Sequence, residues 1–188
     1  SDAESLLRDA LGAKKLKELR RQRNRLEDSG ALTFSVATEP DDVAVALEAF
    51  LRLEASGWKG ERGTALMQHP GDSAFIRQSA PALAAERRFE IASLTRNGQT
   101  LASGLILRDG PTAYFFKIAM DESEARCSPG VQLTLDLTRH FCADPQIQLV
   151  DSSTDFVHPM IDHVWRKRIE IADVFIALRR RDAIAQVL

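Results

Sequence analysis

The chain has 188 residues, 44% of them apolar and 28% charged, with a net charge of -2. That length suits one globular domain with a helical extension, and no run of about 18 apolar residues is present to span a bilayer. Cys127 and Cys142 lie without CxxC spacing or clustered histidines, which argues against a zinc site and a disulfide framework and reads as cytoplasmic thiols.

The chain opens with Ser1-Asp2-Ala3-Glu4, lacking an initiator Met and the basic-then-apolar order of a signal peptide, and reads as a fragment or processed form. Residues 1–29 read as a basic helical extension. From Arg8 to Arg25 eight basic residues face two acids, so the segment is +6 and the remainder -8. Such a stripe could meet nucleic acid, an anionic membrane or an acidic partner, but a solvated helix face is the favoured reading. Leu7, Leu11, Leu16, Leu19 and Leu26 supply one thin apolar stripe. With no aromatics or nucleic-acid module in the segment, nucleic acid is not expected as a partner.

Residues 30–188 read as the globular domain. Leu32 to Thr38 alternates as a strand, and Pro40-Asp41-Asp42 starts a helix with apolar residues at Val43, Ala46, Leu47, Phe50, Leu51 and Leu53. The Gly-rich loop Gly57-Trp58-Lys59-Gly60-Glu61-Arg62-Gly63 reads as a recognition element or as Trp58 packed on the helix end. A helix follows from about Asp72 to Arg87. Strands Phe89 to Arg96 and Gln99 to Arg108 are joined by Asn97-Gly98, and Asp109-Gly110 turns the chain into a strand ending at Met120, giving an antiparallel meander. The spacing then predicts a buried helix from Val131 to Phe141, a strand from Ile147 to Val150 and a turn from Asp151 to Asp155. After it come a helix begun by His158-Pro159, with Met160, Ile161, Val164 and Trp165 inward, and a strand from Ile169 to Leu178 bulged near Ala172-Asp173.

Between the meander and its following helix lies Arg126-Cys127-Ser128-Pro129-Gly130-Val131-Gln132. A strand, a Pro-Gly turn and a helix start make an anion pocket, because the first N–H groups of a helix lack internal partners and sit at its positive end. Gly130 permits close approach, Pro129 stiffens the turn and Arg126 adds charge. The same turn also serves as a plain connection.

This order of elements, with the anion loop after the third strand of the meander, resembles the GNAT acetyltransferase superfamily. Lys14 to Arg23, the stretch Leu53-Glu54-Ala55-Ser56-Gly57-Trp58-Lys59-Gly60, and Ser128-Pro129-Gly130 look like the GNAT-like acyltransferase branch named for cellulose biosynthesis, related to the Fem-type aminoacyltransferases. The resemblance implies an α/β fold with a mostly antiparallel central sheet flanked by helices, here behind a long basic helix. It also implies that the chain is the C-terminal half of a protein with two such halves, able to pack on the other.

The same resemblance implies acyl transfer from acetyl-CoA or another acyl-CoA to an amine of a small molecule or of an envelope or polysaccharide precursor, without a metal. Arg126, Ser128 and the N–H groups of Gly130, Val131 and Gln132 would hold the diphosphate, and Phe116, Lys117 and Ile118 would meet the pantetheine arm. The family motif has two small residues where this chain has only Gly130. Many members use a Tyr as acid; the only Tyr here, Tyr114, sits on another element. Asp151 and His158 are the candidate proton-transfer residues, beside Ser152 and Asp155, although turn shaping and helix capping explain them equally. Trp58 and Lys59 would shape the acceptor site. The alternative is a GNAT-like domain without catalysis that serves as an interaction or regulatory module.

Overall fold

The computed structural model describes residues 2–154, 160–170 and 172. The chain starts with helix α1, Ala3–Asp28, whose N-cap Asp2 accepts the otherwise unpartnered N–H groups of Glu4 and Ser5. At Gly12 the backbone leaves the helical region (φ 72°), so α1 is two helical segments meeting at a kink. The leucine stripe is what docks it: Leu7 and Leu19 share a buried cluster with Leu135 and Val164, and Leu26 packs with Leu101 and Cys127. Lys14, Lys15, Lys17, Arg20, Arg21 and Arg25 remain exposed on the other side.

The sheet contains β1 (Leu32–Ala37), β2 (Phe89–Arg96), β3 (Gln99–Asp109), β4 (Thr112–Met120) and β5 (Leu149–Asp151), ordered as they occur in the chain. The first four are antiparallel, and β5 runs parallel to β4. Asn97 (φ 50°) and Gly98 (φ 82°) both adopt the positive φ that a two-residue hairpin needs to match strand twist.

Period-2 alternation gives the sheet two apolar faces. On one, α2 (Pro40–Ser56) and α4 (Pro70–Ala85) set Val43, Leu47, Phe50, Leu51 and Ile76 against Phe89, Ile91 and Leu105. On the other, α5 (Pro129–Ala143) sets Leu133, Leu137 and Phe141 against Ala92, Leu94, Ile106 and Phe115. Each large side chain so buried stabilises the fold by about 1.5–3 kcal/mol relative to exposure. The result is a mixed α/β, mostly antiparallel sheet between helical layers.

Three expectations change. The strand expected from Ile147 begins at Leu149, because the N–H groups of Gln148 and Leu149 are both taken by the Pro111 carbonyl before ladder pairing starts. The helix expected after His158-Pro159, two residues outside the described set, is only a 3-10 turn at Ile161–His163. Its inward residues are claimed by different clusters, Ile161 with Phe115 and Phe141, and Val164 with Leu7 and Leu19, while the Trp165 indole N–H bonds the Thr138 hydroxyl at 2.9 Å. That divided anchoring draws the chain out of a helix. In the strand expected from Ile169 to Leu178, Ile169, Glu170 and Ala172 lie in no strand and Ile169 is half exposed; the other positions lie outside the described residues.

Candidate functional site

The site begins with one extra residue. In the β3–β4 ladder Leu105 faces Lys117 and Ile106 faces Phe115, so Phe116 has no partner and β4 carries a bulge there. Pairing of β4 with β5 ends at Tyr114 opposite Asp151. Past that point no other described strand pairs with the outer edge of β4, and Phe116 to Met120 form a strand edge open to an extended ligand except at the Ile118 carbonyl, which accepts from Lys59 Nζ. A cavity of ≈ 110 Å³ fills the opening, with Phe116, Lys117 and Ile118 on β4, Ser152 and Thr154 beyond β5, and Lys59 and Ile161 among its lining. A larger concavity, ≈ 780 Å³, follows α1 past Leu11, Lys15 and Asn24 and shares no lining residue with this wedge. The wedge is where strand geometry and polar groups converge, so it, rather than the larger volume, marks the site.

Behind the wedge sits a carboxylate on the apolar stripe of α2. Glu54 follows Leu47, Phe50 and Leu51 at helical spacing, and its side chain is 0% exposed. Its Oε1 accepts from Lys117 Nζ at 2.8 Å and from Lys59 Nζ at 3.3 Å, and its Oε2 accepts the Leu66 N–H at 2.9 Å. Lys59 Nζ also donates to the Ile118 carbonyl at 2.9 Å. Burial pushes the Glu54 carboxyl up, but the Lys117 and Leu66 hydrogen bonds and the two lysine charges outweigh it, leaving the carboxyl below the ordinary value of 4.5. Burial pulls the Lys59 ammonium below 10.5, and the charge of Lys117 adds to this against the attraction of Glu54.

The Trp58 loop explains how Lys59 reaches inward. It forms a single helical turn, α3 (Trp58–Glu61), closed against the end of α2 so tightly that a Cβ at Gly60 would strike the Ala55 carbonyl oxygen. Glu122 accepts the Trp58 N–H at 2.8 Å and fixes the turn from the far side. The Trp58 ring stays outside, 48% exposed, with the Arg62 guanidinium 5.2 Å from its centroid. Of the expected acceptor-site pair, Lys59 lines the wedge and Trp58 does not.

The anion loop is a helix start of the expected kind. A 3-10 turn, Glu122–Cys127, leads through Ser128 in the left-handed region (φ 52°) to Pro129 at the first position of α5. The N–H groups of Gly130 and Val131 precede the first internal helix bond and have no protein partner among the described residues. Gln132 departs from expectation: its N–H bonds the Ser128 carbonyl at 3.0 Å and its side chain donates to the Leu19 carbonyl at 2.9 Å. It helps tie α1 to α5, and its backbone N–H is not available to a phosphate. Gly130 is buried where a Cβ would lie 2.8 Å from Met160 Sδ and 3.2 Å from Met120 Sδ. Arg126 is exposed and unpaired among the described residues.

Asp151 uses Oδ1 to accept the Ser153 N–H at 2.8 Å, an arrangement that shapes the turn, and does not line the wedge. The Ser152 and Thr154 hydroxyls, 3.0 Å apart, do line it. His158 and Asp155 lie outside the described residues. Among the described residues no cluster of three His, Cys, Asp or Glu could hold a metal, and no helix is long and apolar enough to cross a membrane. Glu54 is the residue that the functional reading of the sequence passed over. Its signal was present, since a carboxylate on an apolar helical stripe needs a buried partner.

The fold has solved counterparts. An aminoglycoside acetyltransferase from an uncultured soil metagenomic sample, in complex with sisomicin, superimposes with a TM-score of 0.52 at 13% identity, covering 79% of this chain and 97% of that one. A second aminoglycoside acetyltransferase from an uncultured soil metagenomic sample gives 0.51 at 16% identity over 79% and 99% of the two chains. A Vibrio cholerae integron cassette protein gives 0.50 at 11% over 83% and 96%. No curated protein sequence matches the chain. A family model described as an acetyltransferase (GNAT) domain matches residues 13–156.

Proposed function

The chain belongs to the acetyltransferase (GNAT) domain family, and on that premise we propose that it transfers an acyl group from acyl-CoA to an amine. The observation that carries the reading is the β4 edge from Phe116 onward, which no described strand covers past the bulge and the end of β5 pairing, with the N–H groups of Gly130 and Val131, unpartnered among the described residues, at the start of the next helix. In this reading those N–H groups and Arg126 hold the diphosphate, and the β4 edge receives the pantetheine arm and directs the thioester into the wedge.

The acceptor attacks as a neutral amine. The new C–N bond forms as the C–S bond breaks, and the proton lost by the amine balances the thiolate that leaves. The paired hydroxyls of Ser152 and Thr154 are the described groups placed in the wedge to pass that proton. Asp151 and His158 stay as proposed end points of that transfer. The acceptor is proposed to be an amine of a small molecule or of an envelope or polysaccharide precursor, in the cytoplasm.

A thermal-shift titration with acetyl-CoA tests the reading, because ligand at about 100 times its dissociation constant adds roughly 2.7 kcal/mol of stability. Release of free thiol in the presence of amines then tests turnover. The competing reading, a non-catalytic interaction module, is favoured by the commitment of Gln132 to α1 and by the single glycine of the loop. Absence of any shift with acetyl-CoA and longer acyl-CoAs would decide for it.

A further inference from the structure

We propose that the wedge beside β4 recognises a carboxylate on a short substrate group, with Lys117 and Lys59 as the residues that select it; this rests on the acyl-transfer reading. Among the described residues Glu54 is the only carboxylate paired with either lysine, so there one negative charge serves two ammonium groups. All three are largely enclosed, with side-chain exposures of 0%, 18% and 22% for Glu54, Lys59 and Lys117. Enclosed charges are stable when paired, and this cluster carries one positive charge too many.

The surplus has a direction. An ammonium offers three N–H donors. Lys59 spends two, on Glu54 and on the Ile118 carbonyl, and Lys117 spends one, on Glu54. Among the described residues one donor on Lys59 and two on Lys117 are left, and both residues line the ≈ 110 Å³ wedge together with the Ser152 and Thr154 hydroxyls. That volume equals about four waters in the liquid, enough for a chain of a few heavy atoms ending in a carboxylate.

A carboxylate could arrive on the donor, as the free end of a dicarboxylic acyl group, or on the acceptor, as the carboxylate of an amino acid. Calorimetry on the full chain with acetyl-CoA and succinyl-CoA reads the first source, and thiol release from acetyl-CoA with glycine against glycinamide reads the second. The expected result is a preference of about tenfold or more for the anionic member of one pair. That preference collapses toward one in Lys117→Met and returns in Lys117→Arg. Lys59→Met gives a second route to the same collapse if Lys117→Met fails to fold. Equal treatment of both pairs while acetyl-CoA still binds, or a preference that survives both methionine variants, overturns the carboxylate assignment alone. Failure to bind either acyl-CoA overturns the acyl-transfer reading and this assignment with it.

Discussion

Lys59 Nζ donates to the carbonyl of Ile118 at 2.9 Å, on the part of β4 that β5 leaves bare, while the same nitrogen leans on the buried carboxylate of Glu54. The helical turn after α2 is thereby plugged into the strand edge that builds the site. Fold and site share one polar cluster, and the cost of breaking it depends on which member is removed.

Glu54→Ala leaves two enclosed ammonium groups without a counter-charge, and a loss of about 3–5 kcal/mol is expected. Lys59→Met keeps the apolar stem and leaves Glu54 paired with Lys117, so about 1–2 kcal/mol is expected from the lost charge-assisted bonds. Urea unfolding of the two variants checks the order. If Lys59→Met costs as much as Glu54→Ala, the carboxylate is not the centre of the cluster.

The cluster also sets how stability depends on pH. The Glu54 carboxyl is lowered in the fold, so its stabilisation is complete above the unfolded value near 4.5 and is lost as pH falls through the folded value. The Lys59 ammonium is also lowered, so between its folded value and 10.5 the unfolded chain binds more protons, and stability from this group rises with pH across that window. Denaturation midpoints of wild type and Lys59→Met, measured across the alkaline range, should diverge as pH rises, because the variant lacks the alkaline gain. An identical alkaline slope in both would show that Lys59 titrates as it does in the unfolded chain.

Two glycines should respond differently to the same change. Gly60→Ala drives a methyl into the Ala55 carbonyl, a backbone atom that cannot step aside, and should cost on the order of 1–3 kcal/mol. Gly130→Ala meets the sulfur ends of Met160 and Met120, which can turn away, and should cost less than about 1 kcal/mol. Thermal unfolding of both variants checks this, and an equal loss would mean that the methionines are held as rigidly as the backbone.

Much of this layout is legible in the residues. Asn97-Gly98 and Asp109-Gly110 place the meander, and Pro40 marks a helix start because a missing N–H costs nothing there, whereas the helices expected from Asp72 and Val131 begin two residues earlier, at Pro70 and Pro129. The bulge at Phe116 is silent, since Phe115-Phe116 reads as any apolar strand and the extra residue exists only relative to β3. The 3-10 turn at Ile161 is silent for a similar reason: its apolar spacing suits a helix, and only tertiary packing shows Ile161 and Val164 drawn into different clusters. Glu54 was readable as a position and unreadable as a partnership, because Lys117 lies far along the chain on another element.

Gln132 offers the sharpest separation of scaffold from site. The residue is 1% exposed, its side-chain amide donates to the Leu19 carbonyl, and its N–H belongs to the first internal turn of α5. Gln132→Leu removes one of the ties between α1 and α5, leaving the Arg23–Asp136 and Glu4–Arg139 ion pairs, and sets an apolar side chain beside a leucine cluster, so a loss of about 0.5–1.5 kcal/mol is expected. Acyl-CoA affinity should hold, because the N–H groups assigned to the diphosphate belong to Gly130 and Val131. Calorimetry beside urea unfolding reads both quantities on one variant. A large fall in affinity with unchanged stability would return Gln132 to the phosphate, and a fall in both would mean that the docking of α1 itself shapes the anion site.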